Sequence, residues 1–125
     1  MSVYEIQSDI NSLNSQIRGL GNSRTNYQNM NNQINQAITE LSTAYNYIVN
    51  ARNQLSQNYS SEAANKKVEE LRVVADDINA LISKLRDQIL AESNRRITSI
   101  GNQIQGKQDE VLRKNRELQE EKNKN

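Results

Sequence analysis

The sequence contains no cysteine, histidine, proline, tryptophan or phenylalanine. Each absence removes a mechanism. Without cysteine there is no disulfide, no thiol chemistry and no cysteine-rich zinc site; without histidine the commonest general base and metal ligand is missing. Without proline, and with only four glycines, little interrupts a helix. A net charge of +1 offers no field to draw in nucleic acid. No apolar run approaches the roughly 20 residues of a membrane span, and Met1 to Ile10 lacks the basic-then-apolar order of a cleavable signal peptide. The expectation is a protein made in the cytoplasm, any export of which would use a route that reads something other than a cleaved signal.

What remains is amide and charge. Hydrophobic residues make up 34% of the chain and charged residues 25%, too lean for a thick core but suited to a thin helical bundle. The charge is unevenly spread. Residues 1–60 hold three acids (Glu5, Asp9, Glu40) and three bases (Arg18, Arg24, Arg52), with 12 Asn and 7 Gln. Low-GC codon bias would produce such a composition. So would a face turned to a partner, where charge would cost desolvation.

Apolar spacing sets the fold. Every seventh residue from Ile6 (Leu13, Leu20, Tyr27, Ile34, Leu41, Ile48, Leu55) is apolar, and the interleaved row from Val3 adds Ile10, Ile17, Ile38 and Tyr45. A three-four pattern this long reads as a coiled-coil helix. It runs through Gly19 and Gly21 in phase, which predicts one helix there; a break near Gly19–Asn22 is the alternative. The phase fails after Tyr59, where it would place Glu62, Lys66 and Glu69 in the seam, and a new stripe begins: Val68, Leu71, Ala75, Ile78, Ile82, Leu85, Ile89. Asn58 can end a helix in the left-handed conformation, and Ser60 or Ser61 can cap the next, with Glu62 in its first turn. The prediction is an all-α fold with a single domain over residues 1–125: a long antiparallel helical hairpin. Helix 1 spans about 3–57, the turn about 57–61 and helix 2 about 61–120, with fraying over Lys122–Asn125. Helix 2 continues through Ile97, Ile100, Ile104 and Val111, and the step Ile89–Ser93–Ile97 is a stutter that locally unwinds the supercoil.

Folded about Asn58, the stripes pair Ile34 with Ile82, Ile38 with Ile78, Leu41 with Ala75 and Tyr27 with Ile89, and set Arg24 against Glu92. Beyond the stutter Leu20 meets Ile97, Ile17 meets Ile100, Leu13 meets Ile104 and Ile6 meets Val111. A slip of one heptad, which brings Arg24 beside Ser99, also pairs mostly apolar residues. Gly19, Gly21, Gly101 and Gly106 each cost about 1 kcal/mol relative to Ala in a helix interior. They read as tolerated weakness, as close backbone approach, or as an open end able to splay.

No catalytic constellation is present: serine has no histidine to activate it. The pairs Glu69-Glu70, Asp76-Asp77 and Asp109-Glu110 read as solvated, salt-bridged faces. No loop suits a metal, phosphate or cofactor. The candidate sites are therefore surfaces. Met30, Ala37, Ala44 and Ala51 fall on the row beside the seam of helix 1, and Val74 and Leu81 on the matching row of helix 2. A two-helix seam does not need these rows, so they mark one edge as a groove for a third helix; a hairpin that packs wide is the alternative. The other edge carries Asn14, Gln28, Asn35, Ser42, Arg72 and Asn79. Tyr27 and Tyr45 belong to the seam; Tyr47 and Tyr59 lie off it and are candidate interface anchors.

Two segments carry a resemblance to a known family. One runs from Ala37-Ile38-Thr39-Glu40-Leu41 to Leu55-Ser56-Gln57-Asn58-Tyr59; the other is Ile89-Leu90-Ala91-Glu92-Ser93-Asn94-Arg95-Arg96-Ile97. With the hairpin architecture they make the chain similar to the small, WXG100-like helical companions of LXG-domain toxins in Gram-positive type VII secretion. The turn lacks Trp-x-Gly, and Tyr4 and Tyr59 are followed four residues on by Ser8 and Ala63, not by an acid. The resemblance implies a targeting factor or chaperone that binds the toxin's N-terminal helices, often alongside a second small helical companion, and helps present the toxin for export. In isolation the chain could pair with a second copy. The alternative is a structural, self-assembling coiled-coil scaffold.

Overall fold

The computed structural model describes residues 2–124. Helix α1 spans Val3–Asn58, α2 Glu62–Lys84, a π turn Leu85–Leu90, and α3 Ala91–Lys122. The described residues contain no strand, and the protein is an all-α helical hairpin. One arm is α1; the other is α2, the π turn and α3 in succession.

Helix α1 is 56 residues long and does not break at Gly19–Asn22. Its start is fixed by Ser2, whose hydroxyl accepts from the Glu5 amide at 3.1 Å. Its amide-rich surface is satisfied along the helix, by Gln7 donating to Asn11 and Gln36 to Glu40, and by the Thr25, Thr39 and Thr43 hydroxyls donating to carbonyls one turn back. At the turn, Asn58 does not adopt the expected left-handed conformation, since no non-glycine residue among those described has a positive φ. The Tyr59 amide still donates to the Leu55 carbonyl, and the connection is Tyr59–Ser61. Ser61, at φ −69° and ψ 159°, is the cap, its hydroxyl accepting from the Ala64 amide.

The stutter takes the form of a π turn. Core-facing Ala75, Ile78 and Ile82 of α2, with Leu85 at the start of the π turn, follow one heptad phase, and those of α3 (Ser93, Ile97, Ile100, Ile104, Lys107, Val111, Lys114, Leu118) follow another, one residue later. A π turn inserts one residue without breaking the helix, so the phase shift is absorbed over Leu85–Leu90. Ile89, expected in the seam, is thereby turned outward and left 40% exposed, while Ser93 is 1% exposed, with its hydroxyl unpaired.

The chain divides into two compact units. In the first, residues 1–29 of the chain meet residues 93–125, and the contacts settle the register. Lys107 Nζ donates to Gln16 Oε1 at 2.7 Å and Lys114 Nζ pairs with Asp9 at 3.3 Å. Ile6 and Ile10 cluster with Leu118, and Val111 packs against them. This is the register slipped by one heptad, not the one pairing Ile6 with Val111 and Leu13 with Ile104. The reason is Leu118, which anchors the open end from inside a segment that otherwise reads as charged tail. In this register Gly19 is level with Ile104 and Gly101 with Asn22. Helix α3 holds to Lys122, and the Asn123 amide still donates to Gln119 and Glu120. Asn125, the last residue of the expected frayed end, lies outside the described residues.

In the second unit, residues 30–92, the buried side chains are Ile38, Ala64, Ala75 and Ile82, with Ile34, Leu41, Tyr45, Ile48, Leu55, Leu71 and Ile78 half-buried around them. A fully buried Ile or Leu contributes about 1.5–3 kcal/mol. Half-buried seam residues contribute less, so neither unit has surplus core.

Two predictions follow from this geometry. A Cβ added at Gly19, Gly21, Gly101 or Gly106 would meet nothing within 4 Å, so close approach is not what these glycines serve. Each Gly→Ala substitution should raise stability by about 1 kcal/mol in urea titrations; a loss at any site would show that its glycine relieves a contact. A Lys114→Ala, Asp9→Ala double-mutant cycle should return a coupling of about 0.2–1 kcal/mol, since Asp9 is nearly half exposed. A cross-link that forms in the Ile6→Cys, Val111→Cys pair but not in the Ile6→Cys, Leu118→Cys pair would return the register to the unslipped pairing.

Candidate functional site

In the second unit the row immediately before each seam residue of α1 is Met30, Ala37, Ala44, Ala51. The three alanines are half-buried and Met30 is exposed. On the other arm, Val74 precedes buried Ala75 and Leu81 precedes buried Ile82, at 44% and 45% exposure. Both predicted rows therefore flank the seam and leave apolar surface uncovered. Tyr47, 74% exposed, lies one helical row outward between Ala44 and Ala51. Tyr59 is exposed in the turn itself, apart from these rows. Tyr27 and Tyr45 are half-buried in the seam, as expected.

Sequence reading missed one member. The π turn shifts the phase so that Ile89 now precedes half-buried Leu90, just as Val74 precedes Ala75 and Leu81 precedes Ile82. Its 40% exposure matches that of the other two. Val74, Leu81 and Ile89 thus make one aliphatic row. The stutter was the available signal, but only its resolution as a π turn decides which residue joins the row. Val73 is also exposed, on the outer face of α2.

The same rows are polar in the first unit. They hold Asp9, Gln16 and Ser23 on α1, and Arg96, Gln103, Glu110 and Glu117 on α3. Lys107 and Lys114, at seam positions, run their stems along the seam and deliver their charges to Gln16 and Asp9. There the edge is cross-linked by polar side chains. On the opposite edge of the first unit, a groove of about 410 Å³ lies among Asn14, Ile17, Gln105 and Val111, beside exposed Leu112.

The polar edge of the second unit is satisfied within its own helix. Arg72 pairs with Glu69 and, at 2.8 Å, with Asp76. The hydrogen bond from Arg72 holds the Glu69 carboxyl below its ordinary value, and the hydrogen bond and charge of Glu69 raise Arg72. A carboxyl held low makes its contribution above its ordinary titration range and loses it as pH falls through the lowered value. Here the contribution is small because the group is exposed. Chemically, then, one edge of this unit is closed on itself and the other presents aliphatic side chains facing a strip of alanines. No group of side chains among the described residues could hold a metal ion. No helix among them is long and apolar enough to cross a membrane.

If the aliphatic row is surplus to the seam, truncating it should be cheap. Leu81→Ala should cost about 1 kcal/mol or less, whereas Ile82→Ala, one residue on but buried, should cost about 2–3 kcal/mol. Equal costs in urea denaturation would place Leu81 in the hairpin's own core. Compared with known protein families, curated proteins and solved structures, the chain matches none.

Proposed function

We propose that this chain is a non-enzymatic helix-binding protein, and that the edge formed by Met30, Ala37, Ala44 and Ala51 with Val74 and Leu81 receives a helix from another polypeptide. The observation that carries the reading is the contrast between edges. Only in the second unit, and only on one side of its seam, are both flanking rows apolar: exposed Met30 and three half-buried alanines on α1, exposed Val74 and Leu81 on α2. Apolar surface concentrated beside a thin seam is what a hairpin needs in order to become a three- or four-helix bundle with a partner.

The resemblance in the segments 37–59 and 89–97 gives the partner a candidate identity. In this reading the chain is a targeting companion that binds the N-terminal helices of an LXG-domain toxin, with a second small helical companion, before or during type VII secretion. A self-assembling scaffold would use the same heptads differently, by repeated pairing of identical chains.

Co-purification with the helical N-terminal domain of such a toxin, with solution masses of the chain alone and of the mixture, separates the two. Ala44→Glu puts a charge in the middle of the alanine strip. It should leave helicity nearly unchanged and abolish the complex, because an unpaired charge buried at an interface costs several kcal/mol. Unaltered affinity in that variant, or outright unfolding, would remove the support for the edge.

A further inference from the structure

We infer that the occupant of this edge is a single amphipathic helix from a different polypeptide, with large aliphatic side chains at heptad spacing and basic residues beside them, and that Ile89 is its third anchor. The inference rests on the helix-docking reading above and adds the partner's chemistry.

Size comes first. The alanine strip on α1 is low, so it needs large side chains opposite it, and a helix that repeats every seven residues keeps pace with Met30, Ala37, Ala44 and Ala51. These rows end where the first unit begins, at Ser23 and Arg96, so the apolar track is about three heptads, on the order of 30 Å. Met30, Tyr47, Val74, Leu81 and Ile89 together leave on the order of 400 Å² uncovered, about half of what each partner of a standard interface buries. That suits one helix better than a whole second hairpin.

Charge comes second. The residues one row outward from the apolar rows are Gln33, Glu40, Tyr47 and Gln54 on α1, and Glu70, Asp77 and Lys84 on α2. Glu70 is occupied by Lys67 at 3.1 Å. The charges left beside the track are then Glu40 and Asp77, both acidic, and Lys84, a net of one negative charge. A partner helix carrying Lys or Arg beside its apolar stripe meets them favourably. A second copy of this chain would bring its own Glu40 and Asp77 to the same place, and like charges across an interface count against it.

The test uses the full chain and two synthetic three-heptad peptides, of about 21 residues. Both carry Leu at the apolar positions; one has Lys and the other Glu at the flanking positions. Fluorescence anisotropy at low and moderate salt reads the affinity. The Lys-flanked peptide should bind at least about tenfold more tightly, a difference that shrinks as salt rises. Asp77→Lys should invert the preference. Ile89→Gln, and Ile89→Ala as the milder variant, should weaken the Lys-flanked peptide by about tenfold with helicity kept. Equal binding of both peptides, abolished by Ala44→Glu, would overturn the charge assignment and leave the docking edge standing. Binding that ignores Ala44→Glu, or no binding of either peptide, would overturn the edge as well. Unaltered binding in both Ile89 variants would remove Ile89 from it. A chain that dimerises alone and is made monomeric by Ala44→Glu would hand the edge to a second copy and overturn the inference.

Discussion

A two-helix hairpin has one seam, and the phase of that seam is the constraint on everything else in this molecule. Helix α1 keeps a strict heptad from Val3 to Leu55, so the row it offers never shifts. The returning arm carries one residue too many for the same phase. An α-helix has no way to lose a residue except by unwinding over a long stretch or by inserting it as a π turn. Leu85–Leu90 does the latter, and every core-facing position after it moves by one. Without that insertion Ile97, Ile100, Ile104 and Leu118 would rotate off the seam, and the open end would lose the Ile6–Ile10–Leu118 cluster that closes it.

The same insertion shapes the surface. A residue added inside a helix turns its neighbours outward as surely as it turns others inward. Ile89 leaves the seam and lines up behind Val74 and Leu81; Ser93 enters the seam, small enough to be covered almost completely. Its unpaired hydroxyl is a cost of order 1–3 kcal/mol, set against the aliphatic contacts that the shifted phase recovers. An apparent defect in the second arm thus decides both which residues enter the seam and which aliphatic side chain is left exposed beside it.

Much of this was legible in the residues. The heptads of α1, the turn after Asn58, a serine cap and the phase break between Ile89 and Ile97 all rest on local spacing, and local spacing survives folding. The register did not, because a slip of seven residues keeps apolar residues opposite apolar ones and so leaves the dominant energy nearly unchanged. What decides it is Leu118, with Lys107 and Lys114 reaching Gln16 and Asp9. Four of those residues are polar and the fifth is embedded in charge, so hydrophobic periodicity gave them no weight. Asn58 misled for a related reason. The left-handed conformation is one way to end a helix, but a good cap at Ser61 allows the chain to turn through ordinary backbone angles instead. The apolar flanking rows were legible as surplus positions beside the seam; Ile89 was not, since its row depends on how the stutter is resolved.

The two units also divide the sequence's liabilities. All four glycines fall in the first unit and none in the second. No glycine is required by backbone angle or by a close neighbour, so together they lower helix stability by about 4 kcal/mol relative to alanine. That unit also holds the Ile6, Ile10 and Leu118 cluster, with Val111 against it, and polar cross-links along its edge. The second unit has no glycine to weaken it, yet it has a shallower seam and an uncovered edge. Covering that edge with a partner helix would add apolar burial where the hairpin alone has least, so stability gained on binding should be concentrated in residues 30–92.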